Sequence, residues 1–286
     1  MTDRKPRLFE LPSPFALEPG TLRLIEPKEG FGTEQLDRLR EGTLGRPFMI
    51  DSGGMRRLFF NTANTQSAMR LDDPHALVAA YTRKMMAFLL FTPVPRHVLM
   101  IGLGGGSLAK FCYRHLPRTR ISVVEISPEV ISLRREFQIP PDDERFEIIH
   151  DDGAAFLSRA GLTPDVILID AFDEIGVAQS LASSDFYRRA NQSLTPDGVL
   201  VMNLSGEKNR YSVHIESLYA AFAGAVSQVP VEDNVLLFAF KRAPLAELSA
   251  ALDDRAAELE RDLGLEFSRY LERVRTGSML ERGSAV

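Results

Sequence analysis

The sequence predicts a doubly wound α/β fold with a small N-terminal β unit, and three observations carry that reading. Short apolar runs alternate with helical segments from residue 97 to about residue 204, the first run stops at a glycine-rich turn, and the later runs end in carboxylates. Strands of a parallel sheet are buried on both faces, so they read as unbroken apolar runs, and their ligands bind beyond the carboxyl ends.

Residues 1–20, rich in proline and charge, are expected to form an extended, loosely attached arm. Residues 21–92 are expected to hold a β unit and a linking helix. Runs such as LRLI, RPFMI and RRLFF alternate there with turn residues. The linking helix is expected over residues 75–91, with Leu77, Tyr81, Met85 and Phe88 on one stripe, ended by the prolines of TPVP.

A nucleotide-binding catalytic domain is expected over residues 93–242. The run HVLMI opens it as a strand, and Gly102, Gly104, Gly105 and Gly106 follow. Four glycines in five positions exceed the need of a plain turn and suit close approach of backbone to a ligand at a helix N-terminus. RISVVE is the second strand, and Ser127-Pro128 caps and opens the next helix. FEIIH, DVILID and VLVMN are the third to fifth strands, and residues 235–241 form a further apolar strand. A helix is expected from about residue 212 to 226, and residues 243–286 read as a helical tail.

Composition narrows the partners. The 286 residues carry a net charge of −5, which gives no basic field for nucleic acid. Cys112 is the lone cysteine, so an intrachain disulfide and a cysteine zinc site are excluded and a cytoplasmic setting is expected. The sequence has no apolar run near the ~20 residues of a membrane span and no histidine-carboxylate spacing typical of a metal site.

The chemistry is expected at the strand ends. Glu125 follows the glycine turn by about twenty residues, where a carboxylate accepts from both ribose hydroxyls of an adenosine ligand. Asp152 follows the third strand, where it either accepts from an adenine amino group or caps the helix after Gly153; Asp151 has the same two options. Asp170, Asp173 and Glu174 crowd the mouth after the fourth strand. Packed carboxylates raise one another's pKa unless a cation joins them, so the cluster suits an amine that must be bound and relieved of a proton. Ser107 lacks a nucleophile-elbow context, and it occupies the third glycine position of a nicotinamide-binding fingerprint.

The runs VLMIGLGGGSL, VVEISPEV, HDDGAAFL, DVILIDAFD and LTPDGVLVMNL, in this order and spacing, resemble the spermidine synthase-like branch of the adenosylmethionine-dependent methyltransferase-fold family. The resemblance covers about residues 56–205, and QSAMRLDDPHALVAAYTRKM extends it upstream. It implies a Rossmann-like sheet and a homodimer. It also implies aminopropyl transfer from decarboxylated S-adenosylmethionine to a small amine acceptor. Gly102, Gly104 and Gly105 would border the nucleotide, Glu125 would bind ribose and Asp152 adenine. Asp173 would accept the proton, Asp170 would orient the amine, and Gln66 and Tyr81 would face the acceptor.

The chain departs from that pattern at three places. Gly105 stands where the family carries an aspartate in G-G-G-D-G-G, Thr82 replaces a His or Gln, and PVEDNVLLFAFK replaces a Pro-Thr-Tyr-Pro segment. The lost aspartate removes a repulsion against the carboxylate of ordinary S-adenosylmethionine, so methyl transfer stands as the second expectation. A non-catalytic nucleotide-binding protein acting through its tail is the third.

Overall fold

A computed structural model of the protein describes residues 6–16, 18–26, 32–62, 65–159, 161–172, 177–206, 211–242 and 249–276. The N-terminal unit is a five-stranded antiparallel sheet in the order β1 to β5: β1 (Leu8–Pro12), β2 (Thr21–Ile25), β3 (Phe48–Ser52), β4 (Met55–Phe59) and β5 (Thr65–Arg70). Helix α1 (Thr33–Arg40) lies between β2 and β3. The stretch expected as a loose arm thus contributes a strand, with Leu11 paired to Leu22. Gly53 and Gly54, at φ +56° and +75°, make the two-residue turn that β3 and β4 need. Alternation divides the sheet. Leu22, Leu24, Phe48 and Ile50 pack with Leu39 of α1, while Met49, Leu58 and Met69 face the main core.

The linking helix is shorter than the sequence suggests and is broken in two, α2 (Ala80–Met85) and α3 (Phe88–Phe91). Met85, Met86, Phe88, Leu89 and Leu90 are all fully buried, so this segment is enclosed on every side and not amphipathic. The Arg83 guanidinium donates to the carbonyls of Leu77 and Val78 and fixes the non-helical approach.

The main domain alternates β6 (His97–Ile101), α4 (Ser107–His115), β7 (Arg120–Glu125), α5 (Pro128–Ser132), β8 (Phe146–His150), α6 (Gly153–Arg159), β9 (Val166–Ile169), α7 (Ser184–Ser193), β10 (Val199–Leu204) and α8 (Tyr211–Ala221). A hairpin of β11 (Val226–Val231) and β12 (Asn234–Phe240) completes it. The seven-stranded sheet runs β11-β12-β10-β9-β6-β7-β8, with β6 to β10 parallel and β12 antiparallel to β10. Val98, Met100, Val123 and Leu168 enter the core on one face, and Leu99, Ile101, Val124 and Ile169 that on the other, the two-sided burial of a doubly wound α/β fold. Strand β11 was not anticipated: α8 stops early, at Ala223 and Gly224 with φ +52° and +80°, and VSQVPV then pairs along β12.

Strand order reverses at β6, whose neighbours are β7 and β9. The crevice at that switch point is where ligands bind in such sheets. In the tail, α9 (Ser249–Leu263) and α10 (Phe267–Thr276) pack away from this crevice. Arg255 donates to the Leu90 carbonyl at 2.5 Å, and Phe267 and Tyr270 are buried. Among the described residues no helix is long and apolar enough to cross a membrane.

Candidate active site

At the switch point Gly102 has φ +96°, and its amide donates to the Val124 carbonyl at 2.9 Å. A Cβ at residue 102 would lie 2.2 Å from the Asp170 carbonyl oxygen. Only glycine lets the ends of β6, β7 and β9 meet here. Gly104, at φ +51°, lines the cleft, whereas Gly105 is buried behind it against Ser67 and Phe137 and does not line the cavity.

Glu125 ends β7 with 8% exposure. Its two oxygens accept from the Leu103 and Ser127 amides, each at 2.8 Å. Each carboxylate oxygen retains a second lone pair, so the group is held rigidly and still has capacity toward the cleft. Ile126 beside it is 61% exposed, leaving an apolar surface at the mouth.

Asp152 caps α6, with Oδ1 accepting from the Ala155 amide at 2.8 Å. The capping option is therefore realised, and Oδ2 has no hydrogen-bond partner among the described residues. Asp151 is committed elsewhere, paired to Arg159 and accepting from the Asp152 amide. Gly153 forms the floor: a Cβ there would stand 2.5 Å from Ile101 Cγ2.

Asp170 follows β9. Its Oδ2 accepts from the Tyr81 hydroxyl at 3.1 Å and its Oδ1 from the Asn203 amide at 3.0 Å. Burial pushes the Asp170 carboxyl above the ordinary carboxylate range, against those two hydrogen bonds, which favour the charged form. Burial and the neighbouring Asp170 together hold the Tyr81 phenol well above its usual value. Asn203 was missed by sequence reading. It lies 1% exposed in an apolar strand, and its signal was a polar residue at the carboxyl end of β10, the same signal that marked Glu125.

These groups share one cavity of about 150 Å³, bounded by Gln66, Tyr81, Gly104, Glu125, Asp152 and Asp170. Ser67, also missed, lies on the same wall from β5, with its Oγ 3.5 Å from Ser107 Oγ. Asp173 and Glu174 lie outside the described residues. The flanking Phe172 and Val177 form an isolated antiparallel bridge, and Phe172 and Ala178 line the cavity. Among the described residues no three His, Cys, Asp or Glu side chains gather as a metal site.

The arrangement can hold an adenosine between Glu125 and Asp152 and present an amine to Asp170. Comparison with known proteins gives the family of the chain. The family described as the spermine/spermidine synthase domain matches residues 78–231. The chain is 39% identical to the polyamine aminopropyltransferase of Chromobacterium violaceum across 228 residues, 79% of this chain and 87% of that protein. In fold it is similar to a probable spermidine synthase from Corynebacterium glutamicum, at TM-score 0.62 and 19% identity over 84% of this chain and 95% of the other. A spermidine synthase in complex with the transition-state analogue AdoDATO gives TM-score 0.60 at 20% identity, over 80% of this chain and 85% of that one. With a family match across more than half its length and that identity over most of it, the chain belongs to the spermine/spermidine synthase family.

Proposed function

We propose that this transferase moves the aminopropyl group of decarboxylated S-adenosylmethionine to a small amine; its Chromobacterium violaceum relative is named a polyamine aminopropyltransferase. The observation that carries the reading is the convergence of Glu125, Asp152 and the Asp170–Tyr81 pair on one cleft at the switch point of the sheet. Glu125 would take the ribose hydroxyls, and the free oxygen of Asp152 the adenine amino group. Gly102 and Gly104 would let the backbone approach the sulfonium side.

The acceptor ammonium, with a pKa near 10, must lose a proton before its nitrogen can attack. Asp173 would accept that proton, and Asp170, fixed by Tyr81 and Asn203, would orient the amine beside Gln66. The nitrogen lone pair then forms the new N–C bond as the C–S bond breaks, and methylthioadenosine departs neutral. The sulfonium already carries the charge that its departure relieves, so catalysis rests on positioning and proton removal and calls for no Lewis acid.

Methyl transfer, suggested by Gly105, is not favoured, because the relative matched over most of the chain is named for aminopropyl transfer. The non-catalytic reading is disfavoured on the same ground. The proposal also includes a homodimer, which rests on the family resemblance, and a cytoplasmic location. That location rests on Cys112 being the lone cysteine of the sequence; the thiol is buried, and burial pushes it up to about 12.

The test is methylthioadenosine release from decarboxylated S-adenosylmethionine with a panel of diamines. Release by the wild type that falls at least 100-fold in both Asp170→Asn and Asp173→Asn supports the assignment. Release unaffected by Asp173→Asn removes that residue from the proton-accepting role.

A further inference from the structure

The wall that faces the remaining arm of the cleft is built without charge. Adenine and ribose are assigned to Asp152 and Glu125 and the acceptor amine to Asp170 and Gln66, so the sulfonium's propyl chain is left to the side bounded by Ser67, Gly104 and Ser107. Among the described residues this side carries two hydroxyls and no carboxylate.

The missing charge is fixed by packing. A Cβ on residue 105 would lie 2.6 Å from Ser67 Oγ and 2.9 Å from Phe137 Cδ1. Phe137 cannot easily yield. It is fully buried, its carbonyl accepts from Lys110 Nζ at 2.7 Å, and the preceding Glu136 carbonyl accepts from Arg56 Nη1 at 2.6 Å. Arg56 comes from β4 and Lys110 from α4, so two buried cations on different elements hold the backbone that carries the Phe137 ring. Ser67 of β5 fills the rest of the volume that a side chain at 105 would need.

We propose, resting on the aminopropyl-transfer reading, that Ser67, with Ser107, is the specificity determinant of the nucleotide's side chain, and that the enzyme recognises the terminal ammonium through neutral hydroxyls. A hydroxyl both donates and accepts, so it satisfies an ammonium or a carboxylate. A carboxylate in the same place would attract the one and repel the other. The enzyme therefore binds decarboxylated S-adenosylmethionine and its carboxylated parent with affinities that differ less than tenfold. The parent acts as a competitive ligand.

Calorimetry with three nucleotides on the full-length enzyme tests this: the decarboxylated form, the carboxylated form, and methylthioadenosine, which lacks the chain and reports on the adenosine half alone. For the wild type, a Kd ratio between the two sulfonium nucleotides below tenfold supports the proposal, and tenfold or more overturns it. Ser67→Asp puts a carboxylate in the volume denied to residue 105 and is expected to widen that ratio at least tenfold. Ser67→Ala is expected to weaken the decarboxylated form about fivefold relative to methylthioadenosine. An unchanged ratio in Ser67→Asp, or unchanged relative affinity in Ser67→Ala, overturns the role of Ser67. Failure of the wild type to bind any of the three overturns the aminopropyl-transfer reading itself, an outcome distinct from tight binding with strong discrimination.

Discussion

The Tyr81 hydroxyl donates to Asp170 Oδ2 at 3.1 Å, joining residues 89 positions apart in the chain. That bond, with the Asn203 amide on the other oxygen, offsets part of the burial that pushes the Asp170 carboxyl upward. Tyr81→Phe removes a donor that favours the carboxylate, so the Asp170 pKa rises further. The acid limb of kcat/KM is expected to move to higher pH, with kcat/KM down about 10-fold at neutral pH, the worth of one charge-assisted hydrogen bond. A pH profile superimposable on that of the wild type contradicts this role.

Gly102 holds the strand ends together at φ +96°, with the Asp170 carbonyl where a methyl group would go. Gly102→Ala combines left-handed strain with a backbone clash. It is expected to cost about 3 kcal/mol or more, lowering Tm by about 6–12 °C for a chain of this size. Thermal unfolding monitored by circular dichroism checks it.

The Glu125 carboxylate is fixed by the Leu103 and Ser127 amides and is the group proposed to take the ribose. Glu125→Gln is expected to weaken methylthioadenosine binding about 10- to 100-fold, as charged acceptors are worth more than neutral ones. It is also expected to erase most of the preference over the 2′-deoxy analogue. Retained preference in a double-mutant cycle would assign ribose elsewhere.

Lys110 is fully buried, and burial lowers its pKa from 10.5 to about 8. Below pH 8 both folded and unfolded chains carry the proton, and the folded chain bears the cost of a buried ammonium. Between pH 8 and 10.5 the unfolded chain binds the proton and the folded chain releases it, so stability rises with pH. Relative to Lys110→Met, the wild type is expected to gain about 3 kcal/mol across that window. Urea midpoints of both proteins from pH 7 to 10.5 measure the gain, and parallel curves contradict it.

What could be read directly from the sequence was whatever lies contiguous along the chain. Glu125, Asp152 and Asp170 each close or follow an apolar run, so their arrival at one sheet edge follows from parallel pairing. Pairings across sequence distance were not legible. Nothing near TQSAMR announces a strand, since only Met69 is buried there, yet β5 brings Ser67 onto the glycine turn. Asn203 carried the strand-end signal but its pairing with Asp170 was not legible, and the burial of every face of residues 85–90 was read as part of a long helix with one core stripe. The arm strand escaped notice because its pattern of exposed and half-buried residues gives it no core signature of its own.

Aminopropyl transfer is proposed to take place in the cleft around Glu125, Asp152 and Asp170. Incubating the enzyme with one diamine and equal concentrations of decarboxylated and ordinary S-adenosylmethionine, and resolving the nucleoside products by mass, tests it most directly. Methylthioadenosine together with a diamine enlarged by one aminopropyl unit is the expected result. Adenosylhomocysteine with a methylated diamine, or neither nucleoside, would contradict it.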